Sequence, residues 1–272
     1  MARIALSSSL ALLFLLPLGG CKKTGDGAQA PDDSNAHADW DYEEHGPDEW
    51  AGKCATGEMQ SPIDLPASLL EGSDHLEINY SPDPLRIVDN GHTIQVNHQG
   101  ASQLSIEGVP FKLIQYHFHS PSEHAEQGDR HTLELHLVHT DEVGNFAVIG
   151  VFLEAEGMDP EDPAHERLWQ HLPKDHADHD EHVYVGEPVD PSTFLPSGRA
   201  HYRYHGSLTT PPCTETVTWL VMDEPLKVSA EHIAAFQELY QANARPLQMR
   251  PQWCLDLVPM SSPLSESTEP PN

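Results

Sequence analysis

Leu113-Ile-Gln-Tyr-His-Phe-His119 and Leu133-Glu-Leu-His-Leu-Val-His139 are the two stretches that decide how this chain folds. In the first, period-two alternation puts Gln115, His117 and His119 on one face of a strand and Ile114, Tyr116 and Phe118 on the other. In the second, Glu134, His136 and Val138 share a face, with Leu135 and Leu137 opposite. Two imidazoles at i and i+2 lie close enough to ligate one metal ion, and antiparallel pairing of the strands supplies a third. Three histidines around an open fourth position form a catalytic zinc arrangement. Gln115 and Glu134 lie two residues from candidate ligands on the same faces, where they can accept the outer ring N–H bonds. A lone His-x-His is explained more often by structural or exposed histidines. Two otherwise apolar strands that both carry imidazoles are a stronger signal, because an unpaired imidazole on a buried face is costly.

Outward from this pair, short alternating or β-branched runs recur at Leu76–Tyr80, Leu85–Val88, Thr93–Asn97, Gln103–Ile106, Ala147–Leu153 and Val217–Val221, separated by Gly and Pro clusters. Helices are predicted over Pro163–His171 and Ala230–Gln241. The second has Ser229 as N-cap, Glu231 in its first turn and an apolar face of Ile233, Phe236, Leu239 and Tyr240. The expected fold is a single β-dominated α+β domain over residues 39–257, a large, mostly antiparallel twisted central sheet with peripheral short helices. Residues 154–190 are acid-rich and read as a solvated surface insertion. Within them His176, His179 and His182 fall at helical i, i+3, i+6 spacing and could bind a metal weakly. Residues 258–272 are rich in Ser, Pro and Glu and read as a disordered tail.

At the other end, Ile4 to Leu18 is an apolar run behind Arg3, too short to span a bilayer and of the length of a signal-peptide core, so residues 1–20 read as a signal peptide. Leu18-Gly-Gly-Cys21 resembles a bacterial lipobox, in which Cys21 is lipidated; an ordinary secretory cleavage site is the alternative. Residues 21–38 read as a flexible tether, and Lys22 after the cysteine favours the outer membrane. The expected location is the cell envelope, periplasmic or attached to the outer membrane by lipid. Cys54, Cys213 and Cys254 then remain in an oxidising compartment, which predicts one pair and one spare thiol. The formal net charge of −29 argues against a nucleic-acid partner and against a basic patch docked on anionic lipid. The 19 histidines exceed ordinary usage several-fold; most are read as solvated.

Taken in chain order, Trp40-Asp-Tyr42, Gln60-Ser-Pro-Ile-Asp64, Asn90-Gly-His92, Gln115-Tyr-His-Phe-His-Ser-Pro-Ser-Glu-His124, Glu134-Leu-His-Leu-Val-His139, Ala147-Val-Ile-Gly150 and Gly206-Ser-Leu-Thr-Thr-Pro-Pro-Cys-Thr-Glu215 resemble the α-class carbonic anhydrases. The resemblance spans about Trp40 to Arg250. It implies reversible hydration of CO2 to bicarbonate and a proton through attack by a zinc-held hydroxide, with one zinc per chain on His117, His119 and His136. Gln115 and Glu134 would orient His117 and His136, and a backbone carbonyl near Asn243 would hold His119. Thr209 would bridge the attacking oxygen to Glu123, with Thr210 beside the substrate. Val138, Val148, Leu208, Val217 and Trp219 would wall the CO2 pocket, and His92 would shuttle the proton. Tyr42 matches a water-network tyrosine, and His124 and Tyr204 match buried positions near Glu134. The resemblance also implies a Cys54–Cys213 disulfide, cis bonds before Pro62 and Pro212, inhibition by sulfonamides and anions, and a monomer or dimer.

Ala125, His205, Ala244 and Gln95 depart from the family pattern, and none is a metal ligand. Two other classes compete. A catalytically dead binding module of the same fold typically lacks a zinc histidine, whereas all three are present here with Glu123 and Thr209. A zinc-scavenging lipoprotein using residues 174–182 would hold several labile ions instead of one tight one.

Overall fold

The computed structural model describes residues 40–66, 75–155, 163–174 and 181–249. Cys21, Cys254, His176, His179, the predicted signal segment and tether, and the tail 258–272 lie outside the described residues.

The central sheet has eleven strands. They are β2 (Leu76–Asn79), β3 (Asp83–Asp89), β4 (Ile94–Asn97), β5 (Gln103–Ile106), β6 (Val109–His119), β9 (Leu133–Thr140), β10 (Phe146–Ala155), β11 (Glu181–Val189), β12 (His201–Gly206), β13 (Val217–Met222) and β14 (Leu226–Val228). The main path runs β11-β3-β4-β6-β9-β10-β13-β12, with β5 paired to β2 and β6, and β14 to β10. Antiparallel pairing dominates; β10 runs parallel to β13 and β14. A small sheet of β1 (Asp64–Leu65), β7 (Ala125–Glu126) and β8 (Asp129–Arg130) lies apart from it. Helices are α1 (Lys53–Thr56), α2 (Pro163–Gln170) and α3 (Ala230–Leu239).

β6 and β9 pair antiparallel as expected, setting His117 opposite His136, His119 opposite Glu134 and Gln115 opposite Val138. One face of this pair joins the main core. Tyr116, Phe118, Leu135 and Leu137 pack there with Ile149, Val151, Leu220 and Met222, and with Leu168 and Trp169 of α2 and Ile233 and Phe236 of α3. Each such burial stabilises by roughly 1.5–3 kcal/mol, before the cost of ordering. In α3 the Ser229 hydroxyl accepts the His232 N–H, so the predicted cap forms. The helix stops at Leu239, two residues short of expectation.

Two expectations are corrected. Alternation breaks within Leu113–His119: the β6–β9 register shifts between Leu113 and Gln115. A bulge lets one strand carry an extra residue, so Ile114 leaves the Tyr116 face and packs against the Val138 and Trp219 cluster instead. The second concerns the acid-rich insertion, whose end, residues 181–189, is β11, an edge strand on β3. Exposed Glu187 and Pro188 suit an edge, where they deter further pairing. His182 is therefore in a strand, not on a helix with His176 and His179.

Candidate functional site

The second face of β6 and β9 carries the site. A ring nitrogen from each of His117, His119 and His136 lies within 4.8 Å of the others. In each ring the second nitrogen is tied. His117 Nδ1 bonds Gln115 Oε1 at 2.8 Å, His119 Nδ1 bonds the Asn243 carbonyl at 2.7 Å, and His136 Nε2 bonds Glu134 Oε1 at 2.9 Å. These bonds select the tautomer, because the acceptor takes the N–H and leaves the other nitrogen with its lone pair facing the centre. His119 Nε2 is buried and has no hydrogen-bond partner among the described residues. Burial pushes the His117 and His119 pKa below the ordinary imidazole value; their neighbouring imidazoles add to this, while Glu123 opposes it at His119. These observations fit a cation held by neutral imidazoles, with histidine donors of the borderline character that suits zinc.

Glu134 is held in turn. Burial alone would raise its pKa, but His124 and His136 bring it well below the ordinary carboxylate value. His124 Nδ1 meets Glu134 Oε1 at 2.7 Å, and His124 Nε2 meets the Tyr204 hydroxyl at 2.6 Å. Gly150 lies opposite His136 on β10, where a Cβ would come within 2.9 Å of Glu134 Oε1. A side chain there would push the carboxylate off His136.

Beside the imidazoles, Val138, Val148, Val217 and Trp219 form one apolar cluster with Leu208, Ile114 and Phe146 packed against it. The Trp219 ring meets the His136 ring edge-on at 4.8 Å. Glu123 is fully buried; its Oε1 accepts the Arg245 N–H at 2.8 Å, and its Oε2 lies 3.5 Å from His119 Nε2 and 3.9 Å from His136 Nδ1. The Thr209–Glu123 hydrogen bond implied by the resemblance is not formed: Glu123 Oε2 has no hydrogen-bond partner among the described residues. Arg245 takes one carboxylate oxygen, and the His119 and His136 imidazoles face the other. Thr209 is buried and Thr210 half-buried, on the loop between β12 and β13.

A family model described as eukaryotic-type carbonic anhydrase matches residues 45–253. The chain belongs to that family. The carbonic anhydrase of Nostoc sp. is 36% identical over 258 residues, covering 89% of this chain and 96% of its own. A hyperthermostable carbonic anhydrase from an active hydrothermal vent chimney superposes with a TM-score of 0.73 at 35% identity, covering 82% of this chain and 100% of that one. The α-carbonic anhydrase of Thermovibrio ammonificans, solved with the inhibitor sulfanilamide, gives a TM-score of 0.70 at 34% identity, covering 81% and 98%.

Within this carbonic anhydrase fold His92 is half-buried, its ring stacked on Trp40 at 3.7 Å. A cavity of about 420 Å³ opens beside it, lined by Tyr42, Glu43, Glu238 and Gln241 among others. Burial, with the negative Glu123 nearby, raises the Tyr42 phenol well above its ordinary pKa, so it stays a neutral donor. Cys54 and Cys213 are disulfide-bonded, and the Cys213 N–H bonds the Thr210 carbonyl at 2.9 Å, so the bridge anchors the threonine loop. The bonds before Pro62, Pro121 and Pro212 are cis.

Sequence reasoning missed Ile114, Gly150 and Arg245. The lone Gly150 inside an apolar strand was a readable sign of close approach. Arg245 is buried, with its guanidinium on Gln60 Oε1 and the Ser61 and Cys54 carbonyls at 2.7–2.9 Å, which ties the disulfide segment to Glu123. No local pattern announces such a residue.

Proposed function

We propose that this chain catalyses the reversible hydration of CO2 to bicarbonate and a proton, using one zinc ion held by His117, His119 and His136. The observation that carries this is the convergence of three imidazole nitrogens, each with its second nitrogen tied, beside an apolar wall. Zinc, when bound, supplies a Lewis acid that makes water nucleophilic at neutral pH. The chain does the rest. Gln115, Glu134 and the Asn243 carbonyl hold the three rings in the ligating tautomer, with Glu134 kept anionic by its partners. Val138, Val148, Leu208, Val217 and Trp219, extended by Ile114 and Phe146, offer CO2 a dry surface beside the attacking water. Glu123 stands against the centre with Oε2 3.5 Å from His119 Nε2, and Thr209, buried on the loop between β12 and β13, would orient the nucleophile. Thr210 would lie beside the substrate. His92, half-buried beside a cavity, accepts the leftover proton and passes it to bulk buffer, a task for which an imidazole pKa near neutrality is matched.

The deciding measurement is CO2 hydration by purified protein with and without a chelator, and with a sulfonamide. Activity abolished by each, at one zinc per chain, is expected; activity insensitive to both defeats the reading, and several labile ions per chain would favour metal storage. His92→Ala is expected to slow turnover in weak buffer and to be rescued by imidazole. Lipidation at Cys21 and an envelope location form part of the same proposal. Cys21→Ser should release the protein from the membrane fraction, and unchanged fractionation would remove the anchor from the account.

A further inference from the structure

The segment after α3 grips the site at two separate places. Asn243 is buried and spends all four of its polar atoms. Its N–H donates to the Ser120 carbonyl at 3.0 Å, and its carbonyl accepts from His119 Nδ1 at 2.7 Å. Its side chain acts elsewhere. Oδ1 accepts the Ser120 N–H at 2.7 Å, and Nδ2 donates to the carbonyls of both Phe118 and His92 at 3.0 Å. Phe118 stands at the end of β6 beside His119; His92 stands on the turn between β3 and β4. One amide group therefore staples the turn to the strand end that carries a ligand candidate.

The turn is also braced from within, and at its end the Thr93 hydroxyl donates to the Phe118 carbonyl. Asn90 Oδ1 accepts the N–H groups of His92 and Thr93 at 3.0 and 2.9 Å, and buried Asp89 Oδ1 accepts the Gly91 N–H at 3.0 Å. Tyr240, three residues before Asn243, donates its hydroxyl to the same Asp89 oxygen. These bonds keep the turn's shape. Thr93 ties the end of the turn to β6, and the bond from Asn243 ties the His92 peptide itself to that strand.

We propose that the Asn243 side-chain amide is a positioning residue for proton export, fixing the distance between His92 and the imidazole cluster by clamping the His92 peptide to the end of β6. The proposal rests on the reading of His92 as proton shuttle. Transfer through intervening water is steep in distance, and a displacement of about 1 Å can cost roughly 10²-fold in a positioned step. Loss of the amide removes the donor that joins the His92 carbonyl to the end of β6, while the Phe118 carbonyl keeps the Thr93 hydroxyl, so the His92 peptide loses this tether.

Asn243→Ala in the full-length, zinc-loaded chain tests this, because alanine keeps the backbone bonds to Ser120 and His119 and removes only Oδ1 and Nδ2. Proton export follows product release, so it enters kcat and not kcat/KM. The expected result is a fall in kcat of about tenfold in weak buffer, a fall in kcat/KM under about twofold, and recovery of kcat with added imidazole. Amide hydrogen exchange at residues 91–93 should quicken about tenfold while β9 stays protected. The double variant His92→Ala/Asn243→Ala should be no slower than His92→Ala alone, since both act on one step. Equal falls in kcat and kcat/KM without imidazole rescue, or unchanged kcat and exchange, would overturn the clamp. Should the alanine variant not fold, Tyr240→Phe loosens the same turn from its other support and must give the same split at smaller size; a uniform loss or none overturns the proposal. His92→Ala at full speed in weak buffer would remove the shuttle reading and this proposal together, whereas a slow His92→Ala beside a full-speed Asn243→Ala condemns the clamp alone.

Discussion

The two faces of β9 carry histidines with opposite fates. On the core side, His139 is buried with both ring nitrogens engaged internally, by the Tyr80 hydroxyl at 2.7 Å and the Ala147 carbonyl at 3.1 Å. Burial pushes its pKa down to about 4, so it is a neutral filler with nothing left to bind. On the other side, His136 has one nitrogen tied to Glu134 and the other turned toward His117, His119 and Glu123. The chemistry of the side chain is the same, and burial is nearly the same. What separates structure from function is whether the second nitrogen has a partner from the chain. A third setting, His131, is different again: half-buried between Glu126 and Glu154 at 3.0 and 2.7 Å, it has two carboxylates that favour its protonated form.

The contrast can be broken from each side. His136→Ala should remove stoichiometric zinc and, with it, CO2 hydration; metal analysis showing one bound ion and full activity would sink the site. On the core face, Phe118→Ala should cost about 3–5 kcal/mol of stability by cavity formation, read by denaturant unfolding, while the folded fraction still binds one zinc. Loss of zinc from folded Phe118→Ala protein would mean the faces are not separable. Gln115→Ala frees His117 Nδ1 without touching the ligand itself, and zinc affinity should weaken roughly 10–100-fold in a competition titration. An unchanged affinity would show that the tautomer needs no such support.

The smallest effect belongs to His131. Burial alone would lower its pKa, but its bonds to Glu126 and Glu154 outweigh that and raise it above the ordinary value. A folded pKa above the unfolded one adds stability that is fully present below about pH 6.5 and lost as pH rises through the folded pKa. His131→Gln should therefore destabilise by about 1 kcal/mol more at pH 6 than at pH 9. A pH-independent difference would show that the charge contributes nothing.

Much of this was legible because the signals are local. The strands around His117 and His136 announce themselves by alternation, and α3 by its cap and apolar face. Edge strand β11 carries exposed Glu187 and Pro188, and β12 interleaves Arg203 and exposed His205 with buried tyrosines, so neither was read from hydrophobic pattern. The bulge that turns Ile114 toward the pocket depends on how β6 meets β9, so strict alternation placed it on the wrong face. The disulfide pairing came from resemblance alone, since three cysteines leave the choice open.

By itself the sequence determined which residues could ligate, which face they share and which strands carry them, because side-chain direction along a strand follows from backbone geometry two residues at a time. Tertiary structure alone decided which imidazole nitrogens are spent and which are free. That depends on partners far along the chain: the Asn243 carbonyl for His119, Tyr80 for His139, and Gly150 making room for Glu134. A buried polar group must find its partner wherever packing brings one, and no local pattern records where that will be.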